Sequence, residues 1–176
     1  MKKMAVVSIV GGKSSGKTAT VEALTKELTK RGYRVAAAKH IPEPHFTIDT
    51  VDKDTWRFAK SGAKTIISVA ANEIVTIEKV NTQNFSLKEI LRKCKNNDIV
   101  FLEGFRKLVS KNKKIQKIVA VKSKEEAVEA LKNFKPLLAF TGPYSTEEMN
   151  IRIPHVDVFK NPEKIANIVE KTALRF

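Results

Sequence analysis

The chain has 176 residues, of which 42% are hydrophobic and 30% are charged, and its formal net charge is +14. These values are typical of a folded globular protein, and no apolar run approaches the roughly 20 residues that cross a bilayer. Cys94 is the only cysteine, so no intrachain disulfide can form. Because this usage is typical of a reducing compartment, we expect a cytoplasmic protein, and the short apolar runs predict no membrane contact. No repeat, low-complexity tract or linker divides the sequence, so we predict one domain over residues 1–176.

The excess of positive charge is spread over many segments and is densest between Arg106 and Lys117. A net charge of this size is typical of proteins that bind nucleic acids, membrane surfaces or phosphorylated small molecules. No aromatic residue lies among the cations of this region, which disfavours the stacking mode of single-strand binding. We therefore favour a solvated surface or a phosphate or partner surface over a nucleic-acid site.

Strands and helices are predicted to alternate from the start of the chain. Residues 4–10 form a short apolar, β-branched run that is typical of a buried strand. Residues 19–31 carry apolar side chains three to four positions apart, which predicts a helix, and Gly32 is suited to cap its end. Residues 34–38 predict a second strand. Such a unit implies a parallel α/β sheet.

The segment between the first strand and the first helix, residues 11–18, reads Gly-Gly-Lys-Ser-Ser-Gly-Lys-Thr. It fits the phosphate-binding pattern G-x-x-x-x-G-K-[ST] at every fixed position and has the flanking strand and helix that the pattern requires. Glycines let backbone N–H groups turn toward phosphate oxygens, and the helix N-terminus adds its positive dipole end. Lys17 is expected to reach the β- and γ-phosphates, and the Thr18 hydroxyl is expected to bind Mg²⁺.

A long connection, residues 39–52, follows the second strand, and its two prolines exclude a continuous helix. It begins at the carboxyl edge of the predicted sheet, where ligands bind in open α/β folds. His40 and His45 lack a strong metal-ligand spacing, which leaves a polar loop role or a contact with substrate or phosphate for them. Three acids in this region are candidates to contact Mg²⁺ or to position an attacking water: Asp49, Asp52 and Asp54.

The remaining elements continue the alternation, with one interruption. Residues 65–70 and 73–78 are β-rich and close in sequence, which predicts a β-hairpin. Helices are predicted at 53–61, 86–94, 123–133 and 162–173, and strands at 98–102, 115–121 and 137–140. The predicted fold class is α/β: a three-layer P-loop NTPase fold with a mostly parallel central sheet and a β-hairpin extension.

A nucleoside triphosphatase also needs an acid that holds Mg²⁺ directly or through water. The strand at 98–102 has Asp98 at its start and Glu103 at its end. Because the carboxyl edge faces the nucleotide, Glu103 is the better placed of the two, and we interpret Asp98 as a strand-start residue. The catalytic candidates are Lys17, Asp49 and Glu103, and the metal-ligand candidates are Thr18, Asp49 and Glu103.

Four features in chain order resemble the molybdopterin-guanine dinucleotide biosynthesis protein B (MobB) family of P-loop GTP-binding proteins. They are residues 11–18, Lys39-His40, the segment from Asp49 to Ala63, and Glu103-Gly104-Phe105. The resemblance implies an α/β P-loop fold, a homodimer, bound GTP with Mg²⁺, and weak hydrolysis. It also implies an accessory role in attaching GMP to molybdopterin, with molybdopterin or its guanylyltransferase as the partner.

The chain departs from the family pattern at two places. Asp52 stands where the family usually has glycine. Family members also tend to carry an aspartate, suited to guanine, just after the strand corresponding to 137–140, whereas this chain has Thr141-Gly142-Pro143 and its next acid is Glu147. The choice between guanine and adenine therefore stays open. The nucleotide-binding candidates are Gly11, Gly12, Lys13, Ser14, Ser15, Gly16, Lys17, Thr18, Ala19, Thr141, Gly142 and Pro143.

Two other functions fit the same residues. In the first, nucleotide binding orders the connection 39–52 for a partner, and the protein is a nucleotide-gated adapter or binding module without significant turnover. In the second, the protein is a P-loop small-molecule kinase that uses ATP. A kinase needs an acceptor site and usually an arginine-bearing lid, for which Arg106 and Arg152 are candidates.

Overall fold

The computed structural model describes residues 4–83 and 85–174. Two compact units are present. The first unit combines the residues up to His40 with those from Leu87 onward, and the second is Ile41–Ser86. The single domain over residues 1–176 stays a prediction.

The first unit is a five-stranded parallel sheet with helices. Its strands are β1 (Ala5–Gly11), β2 (Val35–Lys39), β5 (Ile99–Glu103), β6 (Gln116–Ala120) and β7 (Leu137–Thr141), in the order β2-β5-β1-β6-β7. Its helices are α1 (Lys17–Lys30), α3 (Leu87–Lys93), α4 (Arg106–Val109), α5 (Lys124–Asn133) and α6 (Pro162–Val169). A 3-10 turn, Glu147–Met149, and a π-helical turn, Glu170–Leu174, complete it. The predicted α/β class with a mostly parallel sheet is confirmed.

The core of the first unit lies on the face of β1 that carries Ala5, Val7 and Ile9. Leu24 and Leu28 of α1 and residues of α6 pack in the same cluster. Period-2 alternation sends the next residues of each strand to the other face of the sheet. Every residue from 99 to 102 in β5 is fully buried, so both faces of the sheet are covered, as parallel sheets require.

Most predicted elements of this unit lie within a few residues of the observed ones. Gly32 ends α1 with a positive φ, and its N–H bonds the carbonyl of Thr29 while the N–H of Tyr33 bonds Leu28, which is the Schellman cap. The last helix was predicted to 173, but the α-helix ends at Val169 and continues as the π-helical turn. The sequence prediction missed α4, whose four residues are too short for a periodic signal.

The second unit contains α2 (Asp54–Lys60) and the antiparallel hairpin of β3 (Thr65–Val69) and β4 (Ile74–Glu78). The predicted hairpin is confirmed, with Val69 opposite Ile74 and Thr65 opposite Glu78. Residues 41–53 form turns and irregular structure, as the two prolines indicate. Among residues 4–83 and 85–174, no helix is long and apolar enough to cross a membrane.

Candidate phosphate and metal site

The glycine loop, residues 11–18, joins the central strand β1 to helix α1. Gly11 lies so close to β6 that a Cβ built on it would be 2.3 Å from the carbonyl oxygen of Ala120, which excludes any side chain there. Strand β1 has β5 on one side and β6 on the other, so the loop leaves the middle of the sheet at its carboxyl edge. Ligands bind in open α/β sheets at this edge.

The interior of the glycine loop is held by bonds to a single carbonyl. The hydroxyl of Ser15 and the ammonium of Lys17 both donate to the carbonyl oxygen of Gly12, at 3.0 and 2.5 Å. Within the described part of the chain, the backbone N–H groups of residues 13–18 donate no hydrogen bond. Unpaired N–H groups at the start of a helix, beside a lysine, form a concave site suited to an anion.

The electrostatics of Lys17 fit this interpretation. Burial lowers the pKa of its ammonium, because a charge is less stable away from water, while the carboxylate of Glu103 acts to raise it. The positive charges of Lys39 and Lys122 act to lower it further. Several cations therefore face one small region, and a bound anion would relieve their mutual repulsion.

The metal side of the site is formed by Thr18 and Glu103. Glu103 ends β5 next to Ile9 of β1 and is only 8% exposed. Its Oε1 accepts a hydrogen bond from the Thr18 hydroxyl at 3.0 Å and lies 3.3 Å from Nζ of Lys39. A hydroxyl and a carboxylate are the hard oxygen ligands that Mg²⁺ takes, with water and phosphate oxygens filling its other positions. The donor set therefore fits the ion.

Asp49, the third predicted metal ligand, lies in the second unit. Its Oδ1 accepts a hydrogen bond from the Thr55 hydroxyl at 2.8 Å, and its Oδ2 is buried without a partner among the described residues. Its role at a metal stays a prediction. Across residues 4–83 and 85–174, no three His, Cys, Asp or Glu side chains gather as a metal cluster.

The histidines of the long connection, His40 and His45, lie in different units. His40 directly follows β2 in the first unit. Its ring packs edge-on against Phe105, with 5.5 Å between the ring centroids. Gly104 allows this approach, since a Cβ there would be 3.3 Å from Cβ of His40. His45 is exposed in the second unit. Asp98 accepts hydrogen bonds from the backbone and side chain of Arg34, which agrees with its interpretation as a strand-start residue.

The end of β7 and the loop that follows it lie beside the glycine loop, and they contain three of the nucleotide-binding candidates: Thr141, Gly142 and Pro143. A Cβ on Gly142 would be 2.8 Å from the carbonyl oxygen of Ser15 and 2.6 Å from that of Val121. The three residues line a cleft of about 740 Å³ that also touches residues 14–16. Residues 155–161 also line this cleft, and they were not predicted from the sequence because no local motif marks them.

A second missed feature is the pair of Lys122 and Glu126 at the start of α5. The Ser123 hydroxyl accepts a hydrogen bond from the N–H of Glu126 and so caps the start of α5. The Glu126 carboxylate in turn accepts from the N–H of Lys122 at 2.8 Å. Its Oε1 would be 3.3 Å from a Cβ on Gly12. The sequence predicts a helix from residue 123, but no local pattern gives the position of that helix against the glycine loop.

The family model described as "Molybdopterin guanine dinucleotide synthesis protein B" matches residues 6–141. The chain belongs to this family. A curated relative from Methanocaldococcus jannaschii, named "Putative molybdopterin-guanine dinucleotide biosynthesis adapter protein", is 35% identical over 124 residues, which are 69% of this chain and 49% of the relative. A relative from Haemophilus influenzae, named "Molybdopterin-guanine dinucleotide biosynthesis adapter protein", is 31% identical over 103 residues, 57% of each protein.

The chain thus spans about half the length of the curated relatives it matches. Solved structures are similar over nearly the whole chain. A crystal structure titled molybdopterin-guanine biosynthesis protein B has a TM-score of 0.71 at 25% identity and covers 94% of this chain and 97% of its own. The structure of Bacillus subtilis MobB has a TM-score of 0.73 at 22% identity and covers 94% and 98%, which shows the shared fold.

Proposed function

We propose that the protein binds GTP with Mg²⁺, hydrolyses it slowly, and serves in the biosynthesis of molybdopterin guanine dinucleotide. The observation that carries the nucleotide part is the glycine loop, where unpaired N–H groups and Lys17 converge beside the Thr18–Glu103 pair. The pathway part rests on family membership and on the names of the relatives.

Each part of the loop has a separate task in this proposal. The N–H groups of residues 13–18 bind phosphate oxygens, and the ammonium of Lys17 moves from the carbonyl of Gly12 to the β- and γ-phosphates. Thr18 and Glu103 hold Mg²⁺, which neutralises the charge that develops on the phosphates. Asp49 is proposed to complete the metal side or to orient the attacking water.

The partners are proposed from the relatives and from one surface of the second unit. The relatives are named adapter proteins, which supports a guanylyltransferase or molybdopterin as the partner of this chain in the cytoplasm. One face of the β3–β4 hairpin presents three exposed apolar side chains: Ile67, Val69 and Ile74. An exposed apolar sheet face of this kind supports the proposed homodimer.

A second candidate function is a nucleotide-gated adapter without significant turnover. It is favoured by the segment before α2, where Phe46, Ile48 and Val51 are exposed although large and apolar. Such side chains are typical of a surface that a partner covers. Turnover assays with and without the guanylyltransferase separate the candidates, since stimulated hydrolysis supports the enzyme and partner binding without hydrolysis supports the adapter.

Calorimetric titration with GTP and Mg²⁺ tests the nucleotide site. Replacing Lys17 by alanine removes a charge-assisted contact, so the affinity should fall by about 10- to 100-fold. Lys26→Ala is the matched control, because Lys26 is an exposed lysine on the same helix α1. Equal affinities of the parent and the Lys17 variant would contradict the proposed site.

A further inference from the structure

The cleft beside the glycine loop contains polar atoms that no described residue satisfies. Thr141 is fully buried at the end of β7, and its Oγ1 has no hydrogen-bond partner. On the segment that pairs with the end of β7, Nδ1 of His155 is also buried and has no partner among the described residues. Buried polar atoms are nearly always paired in native proteins, so unpaired ones on the wall of a cleft indicate a ligand that completes them.

The loop of residues 155–161 is fixed to the sheet, which makes it a rigid wall. His155 forms a bridge with Phe140 of β7, and the N–H of Val156 donates to the Phe140 carbonyl at 2.9 Å. Val156 and Val158 are buried in the core cluster. Asp157 and Phe159 are therefore carried by a backbone that is already fixed, so ligand binding does not have to pay the entropy of ordering this loop.

Asp157 provides the carboxylate of this wall. Its Oδ1 accepts from the backbone N–H groups of Phe159 and Lys160, at 3.0 and 3.3 Å. Among residues 4–83 and 85–174, only Nζ of Lys160 engages its Oδ2, at 3.7 Å, and the Asp157 side chain is 40% exposed. One oxygen thus fixes the carboxylate while the other stays open to a ligand that donates hydrogen bonds.

Phe159 is a large apolar side chain left in solvent on the same loop. Its ring is 82% exposed although the residues on the loop's inner side are buried. It lines the cleft together with Asp157. A flat exposed ring next to a hydrogen-bond acceptor is the combination that a heterocyclic base uses, because the ring covers its face and the acceptor pairs with its edge.

We propose that this cleft holds a guanine base, which Asp157 reads through its N1–H and 2-amino groups and Phe159 covers by stacking. The inference rests on the proposed function, since the base must belong to a nucleotide whose phosphates lie in the glycine loop. Guanine fits Asp157 because both groups on that edge donate hydrogen bonds. Adenine presents the unprotonated N1 there, whose lone pair a carboxylate repels.

The cleft has a second carboxylate, Glu147, which provides a matched control. Glu147 lies on the 3-10 turn, is exposed, and has one more rotatable bond than Asp157. Its own N–H donates to the Ser145 hydroxyl at 3.4 Å, and no N–H group of residues 4–83 or 85–174 donates to its carboxylate. It therefore lacks the fixed carboxylate that Asp157 has, and we assign base reading to Asp157 alone.

The test is a binding series with GTP, ATP, xanthosine triphosphate and inorganic tripolyphosphate, each with Mg²⁺. It uses the parent chain, Asp157→Asn and Glu147→Gln. Asparagine keeps an oxygen for the loop N–H groups and places an amide donor where Oδ2 was, opposite the 2-carbonyl of xanthine. Asp157→Asn should therefore lose about tenfold or more for GTP, gain for xanthosine triphosphate, and leave ATP and tripolyphosphate within about twofold. Glu147→Gln should match the parent for all four ligands.

The outcomes separate the two proposals. If the parent binds neither GTP nor tripolyphosphate, the proposed function fails and the base assignment fails with it. If the parent prefers GTP and Asp157→Asn keeps that preference, or if Glu147→Gln loses it instead, only the base assignment is overturned. Phe159→Ala gives a second readout, because the residue is exposed and its loss should weaken every nucleotide but not tripolyphosphate. Unchanged nucleotide binding by that variant would refute the stacking role.

Discussion

Replacing Glu103 by glutamine should abolish the effect of Mg²⁺ on nucleotide binding and leave the unliganded fold nearly intact. In the unliganded protein, Glu103 accepts one hydrogen bond from Thr18 and forms an ion pair with Lys39. The glutamine oxygen can still accept from Thr18. The lost ion pair is worth at most about 1 kcal/mol, because Lys39 is 55% exposed. Removing a largely buried charge offsets part of this loss.

The liganded protein should respond much more strongly. A ligand at 100 times its dissociation constant stabilises the folded state by about 2.7 kcal/mol. A tenfold loss of affinity reduces this gain to about 1.4 kcal/mol, and a hundredfold loss reduces it to about 0.4 kcal/mol. Glutamine is a poorer Mg²⁺ ligand, and without the Glu103 charge the pKa of Lys17 falls further, so both effects weaken the site.

Urea unfolding with and without GTP and Mg²⁺ measures both quantities in one experiment. Asp98→Asn is the control, because Asp98 lies next to the other end of β5 and pairs with Arg34. This control should keep the full Mg²⁺-dependent stabilisation. If Glu103→Gln keeps it too, Glu103 does not serve the metal. If Glu103→Gln loses several kcal/mol without ligand, its role is structural.

Two further predictions concern folding stability. Gly142→Ala should lower the free energy of unfolding by about 2–4 kcal/mol, because the residue has a positive φ and its new Cβ would meet two backbone carbonyls. Gly32→Ala should lower it by about 1 kcal/mol in the same urea titration, because Gly32 has a positive φ but open space around it. Equal losses would refute the contact argument. Burial lowers the pKa of His155, while Glu147 and Asp157 act to raise it and Lys164 acts to lower it. Below about pH 6.5 the unfolded state therefore binds more protons than the folded state, and the free energy of unfolding decreases as the pH falls. His155→Gln should flatten this decline between pH 7.5 and 5.5, and an unchanged slope would contradict it.

The order of elements and the glycine loop could be predicted from the sequence because their signals are local. The pattern of residues 11–18 contains its own strand, turn and helix start, and Glu103 follows directly from the apolar run of β5. The cleft wall at 155–161 could not be predicted in this way. Its position depends on the pairing of His155 with Phe140, which joins segments that no short-range pattern connects.

The helix α4 and the residue Asp49 show a different limit of prediction from sequence. Arg106–Val109 is a single turn whose start is set by the left-handed conformation of Phe105, and no propensity scale predicts a helix there. Asp49 was singled out because it is an acid in a long connection. Its observed hydrogen bond is with Thr55, six residues away in the sequence. The proposed contact with a metal would join residues that are distant in the sequence, and no short-range pattern predicts such a contact.

The contact of Gly142 with Ser15 has a mechanical consequence for the first unit. The loops that follow β1 and β7 approach each other at Gly142, where a Cβ would lie 2.8 Å from the carbonyl oxygen of Ser15 and 2.6 Å from that of Val121, just after β6. The distance from the unpaired amides of the glycine loop to Thr141 is therefore set by the spacing of the three strands β1, β6 and β7. A ligand that contacts both the glycine-loop amides and Thr141 must have two groups separated by this distance. A ligand whose two groups are closer together or farther apart cannot contact both.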